Sequence, residues 1–280
     1  MELDGAGSGG VTWCSPGIGD PEFQLIRDPQ MSALQDIELA FWLQTPNLPA
    51  CEIAALIGYH RVVLDMEHGT IGSDTLDPIV AQCRTMKLGC YVRVAAGERR
   101  LIQQALDSGA DGVIIPQITG LAEAERVASY AKYPPLGGRG IGYSRTMNYE
   151  VDTIIDDRFF ETQNMRTKCH VMIETPGALR DVESIIRLKT VDGVFIGPAD
   201  LSMTLGRGAF KFTNEDRKDF RIIAAAARGA EKSLGLPVSS AESFAFAASI
   251  GADYVTITDD LTALRCGFLA GMKTISNAAK

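Results

Sequence analysis

Asp65, Glu67 and His68 follow directly on the apolar run Val62-Val63-Leu64. A run of that composition suits a buried strand, and a buried strand that ends on two carboxylates and an imidazole carries groups fit for acid–base work. Asp65 can hold the His68 ring in one tautomer, which makes His68 a general base near neutral pH. Glu174, at the end of HVMIE, and Asp200, in GPAD (197–200), add two further carboxylates. Two anions in an apolar setting repel unless a proton or a cation is shared between them. A hard divalent ion, with positions left for water and substrate oxygens, suits such a pair and points to Mg²⁺ or Mn²⁺. Neutralisation of the pair by an arginine is the alternative.

Arg93 alternates with Tyr91 in CYVRV, so the two share one face of a strand. A guanidinium inside a fold must be paired or face a bound anion. Stabilising an enolate oxygen is one role, and an ion pair with Asp65 or Glu67 is the other. In GPAD, Pro198 lacks an N–H, which leaves the amides of Gly197 and Ala199 to hold a carboxylate; a plain helix start reads equally well. Asp107 sits where a helix ends, against the dipole, as a functional acid or a solvated one.

Eight short apolar runs could position these groups: AFWLQ (40–44), RVVLD (61–65), CYVRV (90–94), GVIIP (112–116), HVMIE (170–174), GVFIG (193–197), LPVSS (236–240) and YVTIT (254–258). Helical periods separate them. In ERRLIQQALDSG, Leu101, Ile102, Ala105 and Leu106 form one stripe that Gly109 stops, and ALRDVESIIRL (178–188) repeats the period. Eight βα units predict a single-domain α/β protein, a TIM (β/α)8 barrel spanning 36–280, whose active residues gather at the C-terminal ends of the strands. About 50 residues separate the fourth run from the fifth, including YPPLGGRGIG (133–142). So long a connection predicts a substrate-side loop. Residues 1–35, rich in Gly, Ser and Pro at their start, read as an irregular lead-in.

A net charge of −8 and a pI near 5.0 argue against nucleic acid as the main partner. No stretch has the length and apolarity of a membrane span, and MELDGAGSGG lacks the basic start and apolar run of a signal peptide. Cys14, Cys51, Cys83, Cys90, Cys169 and Cys266 form no tight metal-ligand spacing. A reducing cytoplasm is the expected location.

LDMEHG, the VRV strand, LDSGADGVIIP, YPPLGGRGIG, MIET and DGVFIGPADLS together resemble, in order and spacing, the metal-dependent class II pyruvate aldolases of the HpcH/HpaI family. The resemblance runs from about residue 40 to 265. It implies Glu174 and Asp200 as ligands of Mg²⁺, Mn²⁺ or Co²⁺, and Arg93 as the residue that binds the pyruvyl oxygen and steadies the enolate. It further implies His68 with Asp65 as the base dyad, the segment Gly197-Pro198-Ala199 as the pyruvate carboxylate site, and Asp107 as an acid near a subunit boundary. The implied reaction is reversible cleavage of a 4-hydroxy-2-oxo acid to pyruvate and an aldehyde, through a pyruvate enolate at the metal. The implied assembly is a homo-oligomer, a hexamer, with the last helix on a neighbour. Met172 stands where the family usually has glutamine, beside the substrate, and Gln117 where methionine is common. Alternatives are an oxaloacetate decarboxylase or macrophomate-synthase-like enzyme using the same enolate, and a barrel that binds a keto acid without turning it over.

Overall fold

The computed structural model describes residues 37–151 and 153–278; the expected lead-in at 1–35 lies outside them. Eight parallel strands close into a barrel in sequence order: β1 Glu38–Leu43, β2 Arg61–Asp65, β3 Gly89–Arg93, β4 Gly112–Ile115, β5 Lys168–Ile173, β6 Gly193–Ile196, β7 Ser233–Pro237 and β8 Tyr254–Asp259. Each pairs with the next, and β8 closes on β1. The predicted TIM barrel is the observed fold.

The strand period of two divides the core. Val62, Leu64, Cys90, Val92, Val113, Ile115, Val171 and Ile173 face outward into one cluster with the helices, while Ala40, Val63, Tyr91, Ile114, Met172, Phe195 and Tyr254 fill the interior. Tyr91 and Arg93 therefore share the inward face. The helices named below are α1 Leu48–Ile57, α2 Ser73–Met86, α3 Arg99–Asp107, α4 Leu121–Ala128, α5 Asp157–Arg166, α6 Pro176–Arg180, α7 Val182–Ile186, α8 Pro198–Thr204, α9 Asn214–Gly229, α10 Ala241–Ile250 and α11 Asp260–Ala278.

Three elements depart from the reading of the sequence. The seventh strand lies three residues earlier than LPVSS, because it includes Gly235: a Cβ there would come within 2.2 Å of the Tyr254 ring, so only glycine lets that ring cross the strand. The helical period over 178–188 is split into α6 and α7 at Asp181, whose carboxylate accepts hydrogen bonds from Leu121 N at 3.1 Å and from Arg180 Nε at 3.1 Å. The long connection between β4 and β5 carries α4 and α5 and lies along α3. Arg99 donates to the Gly138 carbonyl at 2.6 Å, and the buried Arg139 guanidinium donates to Asp107 at 2.7 Å while lying 4.5 Å over the Tyr133 ring.

Candidate active site

The outcome at the C-terminal end of β2 and β3 follows from register. Asp65 pairs with Arg93 on the ladder, and both side chains point inward, so the carboxylate and guanidinium meet without any loop to bring them together. Asp65 Oδ1 accepts from Arg93 Nε at 2.9 Å and Oδ2 from Nη2 at 2.6 Å, the bidentate geometry that strengthens such pairs. Oδ1 also accepts from the backbone N–H groups of Glu67 (3.1 Å) and His68 (3.2 Å). Burial alone would raise the Asp65 carboxyl, but the Arg93 fork and the two amides outweigh it and hold it below the ordinary carboxylate range. The remaining arm, Arg93 Nη1, lies 3.2 Å from Glu67 Oε2, and Trp42 lies under the guanidinium at 4.7 Å. Trp42 is itself fixed by a hydrogen bond from Nε1 to Thr256 Oγ1 at 3.0 Å.

Across the mouth, β5 and β6 deliver Glu174 and, in the first turn of α8, Asp200. Glu174 is buried and accepts the backbone N–H of Gln117 at 2.6 Å, a residue held at φ +57 as it leaves β4. Burial, with the anions Glu67 and Asp200 nearby, pushes the Glu174 carboxyl up to about 7 against the pull of the Gln117 amide and Arg93. Gly197 makes room for it: a Cβ there would stand 2.6 Å from Glu174 Oε2. Glu174, Asp200, Arg93 and Asp65 line one cavity of about 210 Å³ together with Trp42, Met172, Phe195 and the Gly197-Pro198-Ala199 segment. Gln44, Pro237 and Asp259 complete it.

Some expected partnerships take another form. The Asp65 carboxylate engages the His68 backbone and not its ring. The ring is more than half exposed, with Nε2 3.9 Å from Glu67 Oε2, and His68 is outside the cavity lining. The Gly197 N–H is donated to the Ile173 carbonyl at 3.2 Å, so the first-turn amides without an intrahelical acceptor are those of Ala199 and Asp200. Asp107 is not brought to this cavity; it pairs with Arg139 and lines a separate groove beside α3. Among the described residues, none of 119–168 lines the cavity, and the buried Arg139 ties that segment to α3. Asp260 is turned to the backbone of Gln44 (2.9 Å) and Thr45 (3.2 Å). Two contributors were not singled out from sequence: Trp42 and the Gln117 amide. An aromatic and a backbone N–H carry no chemical signature until the barrel closes.

The sequence profile of the HpcH/HpaI aldolase/citrate lyase family matches residues 38–256. The chain belongs to that family. Both activities in the family's description break carbon–carbon bonds, and the protein is a carbon–carbon lyase. It is 28% identical over 268 residues to 2-keto-3-deoxy-L-rhamnonate aldolase of Salmonella schwarzengrund, covering 91% of this chain and 98% of that protein. The barrel is similar to the crystal structure of an HpcH/HpaI aldolase from Desulfitobacterium hafniense, with a TM-score of 0.78 at 24% identity, over 88% of this chain and 95% of that one. It is also similar to macrophomate synthase, with a TM-score of 0.73 at 18% identity, over 92% and 90% of the two chains. At these identities the structures speak for the fold alone. Among the described residues, no helix is long and apolar enough to cross a membrane.

The HpcH/HpaI chain also has a donor set that fits a hard divalent cation. Of the four carboxylates that line the cavity, Asp65 is taken up by Arg93, and Glu174, facing Asp200, is pushed toward neutrality by burial and by its anionic neighbours, the condition a cation would relieve. Among the described residues no third His, Cys, Asp or Glu joins them as a ligand cluster. A hard divalent ion held by one or two protein carboxylates completes its shell with water and substrate oxygens.

Proposed function

We propose that the protein is a divalent-metal-dependent aldolase that cleaves a 4-hydroxy-2-oxo acid reversibly to pyruvate and an aldehyde. The observation that carries this reading is the convergence of Glu174, Asp200 and Arg93 on one small cavity at the barrel mouth. Glu174 and Asp200 would hold the ion, Mg²⁺ or Mn²⁺ and by the same donor chemistry Co²⁺, which when bound supplies Lewis-acid polarisation of the oxo acid. On this reading the Ala199 and Asp200 amides would hold the substrate carboxylate, with Met172 on the cavity wall. Arg93, locked by Asp65 and Glu67, is a preorganised cation for the oxygen on which enolate charge develops. In the cleavage direction a base takes the substrate's C4 hydroxyl proton, the C3–C4 bond breaks, and its electron pair passes into the enolate. We assign the base to His68, at the rim beside Glu67.

One observation favours a second reading. The His68 ring lies outside the cavity lining, and oxaloacetate decarboxylation would use the same carboxylates and Arg93 without any hydroxyl proton to remove. We further propose a homo-oligomer, a hexamer, with α11 packed on a neighbouring subunit. Leu264, Phe268, Leu269, Met272 and Ile275 stand exposed along it. Asp107, beside the groove along α3, would then be an acid at a subunit boundary.

Pyruvate release from a 4-hydroxy-2-oxo acid, before and after EDTA treatment, tests the main reading. Activity should vanish with the chelator and return with a divalent ion, and Glu174→Gln should weaken metal binding in a folded protein. Full activity in the chelated protein would overturn it.

A further inference from the structure

A second cavity, of about 310 Å³, lies beside the first, between the α8–α9 connection and the turn after β7. Pro198 and Pro237 line both, so the two meet at the barrel mouth. Its floor is the buried Phe220, Leu236 and Val238. Phe210 stacks on Phe220 with ring centroids 6.1 Å apart, and Phe212 packs edge-on against Phe246 at 5.4 Å. Phe212 holds φ +56, a backbone region that a bulky side chain rarely adopts. Arg217 lies 4.2 Å over its ring. The surrounding structure keeps this aromatic wall in place despite the local cost.

Three polar side chains of the rim are already engaged, and the Ser239 hydroxyl alone makes no hydrogen bond to the described residues. Ser240 Oγ accepts the Ser243 N–H at 3.1 Å and Ser243 Oγ accepts the Ser239 N–H at 3.0 Å, both within the cap of α10, while Glu242 pairs with Arg217. A hydroxylated chain entering here would give up hydrogen bonds to water and find few replacements, whereas an apolar chain would lose nothing.

We propose that this cavity receives the apolar tail, alkyl or aryl, of the aldehyde partner. The inference rests on the aldolase reading above. The cavity of about 210 Å³ has room for the three carbons of pyruvate and the reacting carbonyl. A longer aldehyde leaves it over Pro198 and Pro237 and meets phenylalanine rings.

The test is aldol addition of pyruvate with Mg²⁺ to unbranched aldehydes from propanal to hexanal, with glycolaldehyde as the short polar control. Deuterium exchange into the pyruvate methyl group is measured alongside. Burying each methylene should raise kcat/KM about fourfold. Phe212→Gly, which suits the observed φ, should flatten that rise and leave glycolaldehyde unaffected. Ser239→Trp, which fills the cavity from the rim, should cut hexanal turnover about tenfold or more relative to glycolaldehyde. A chain-length profile that is flat in the unmodified enzyme, or that neither variant alters, overturns the proposal. If exchange persists in that case, the enolate reading stands and the tail site alone falls. Absence of both exchange and addition would remove the aldolase reading and this inference with it.

Discussion

Asp65 holds Arg93 by two parallel hydrogen bonds, at 2.9 and 2.6 Å, across a ladder position that the neighbouring strands share. The carboxylate thereby orients the guanidinium. Asp65→Asn keeps the shape but removes the charge that balances Arg93. Breaking a buried pair in this way costs about 3–5 kcal/mol of stability. Pyruvate methyl exchange should fall together with the melting temperature. Exchange at the unmodified rate would show that Arg93 does not need its partner.

The base and the enolate machinery should separate in two variants. His68→Ala is expected to lose roughly 10² to 10⁴ in aldol cleavage while keeping much of any oxaloacetate decarboxylation, because only the former removes a hydroxyl proton. Arg93→Ala should lose both, by about 10² to 10³. Steady-state rates on a hydroxy-oxo acid and on oxaloacetate read the difference. Equal losses in the histidine variant would remove His68 as a dedicated base.

Assembly is checked by light scattering. With α11 exposing a row of large apolar side chains, the full chain should run as an oligomer, with a mass near six subunits. Phe268→Glu with Met272→Glu should release smaller species. A monomer in the unmodified chain at micromolar concentration would contradict the arrangement.

His170 gives acid stability a defined sign. It is buried in the barrel, Nδ1 2.9 Å from the Tyr254 hydroxyl, with Arg61 lying over the neighbouring Tyr91 and Tyr254 rings. Burial, reinforced by the Arg61 charge, pushes it down to about 3 from the 6.5 of a free imidazole. Between these values the unfolded chain binds a proton that the folded one excludes. The stability contributed by keeping His170 neutral is therefore fully present above pH 6.5 and is lost as pH falls toward 3, at roughly 1.4 kcal/mol per pH unit for one proton. Denaturant midpoints for the parent and His170→Gln across that range should show the variant with the shallower slope. Parallel slopes would count against it.

The barrel was legible because each strand carries its own apolar signal and each helix its own stripe. RVVLD coincides with β2 residue for residue. The seventh strand begins earlier than its apolar run, because Gly235 looks like a break until the Tyr254 ring that needs it is in place. Site chemistry was legible at strand ends, where Asp65, Arg93 and Glu174 stand on inward faces. Partner choice was less so. From sequence, Asp65 had an imidazole three residues away and a guanidinium one strand away, and the ladder register that selects the second belongs to neither strand alone. The same holds for Asp107 and Arg139, which lie 32 residues apart and meet because the long connection folds back on α3.

Trp42 has a use beyond its place under Arg93. Its indole lines the cavity beside Phe195, with ring centroids 5.5 Å apart, so anything entering the site changes the polarity and quenching around an intrinsic fluorophore. The chain has two tryptophans, Trp13 and Trp42. In a Trp13→Phe background, emission would come from inside the cavity. Occupancy by a metal ion, pyruvate or an aldehyde could then be titrated optically, each separately from turnover.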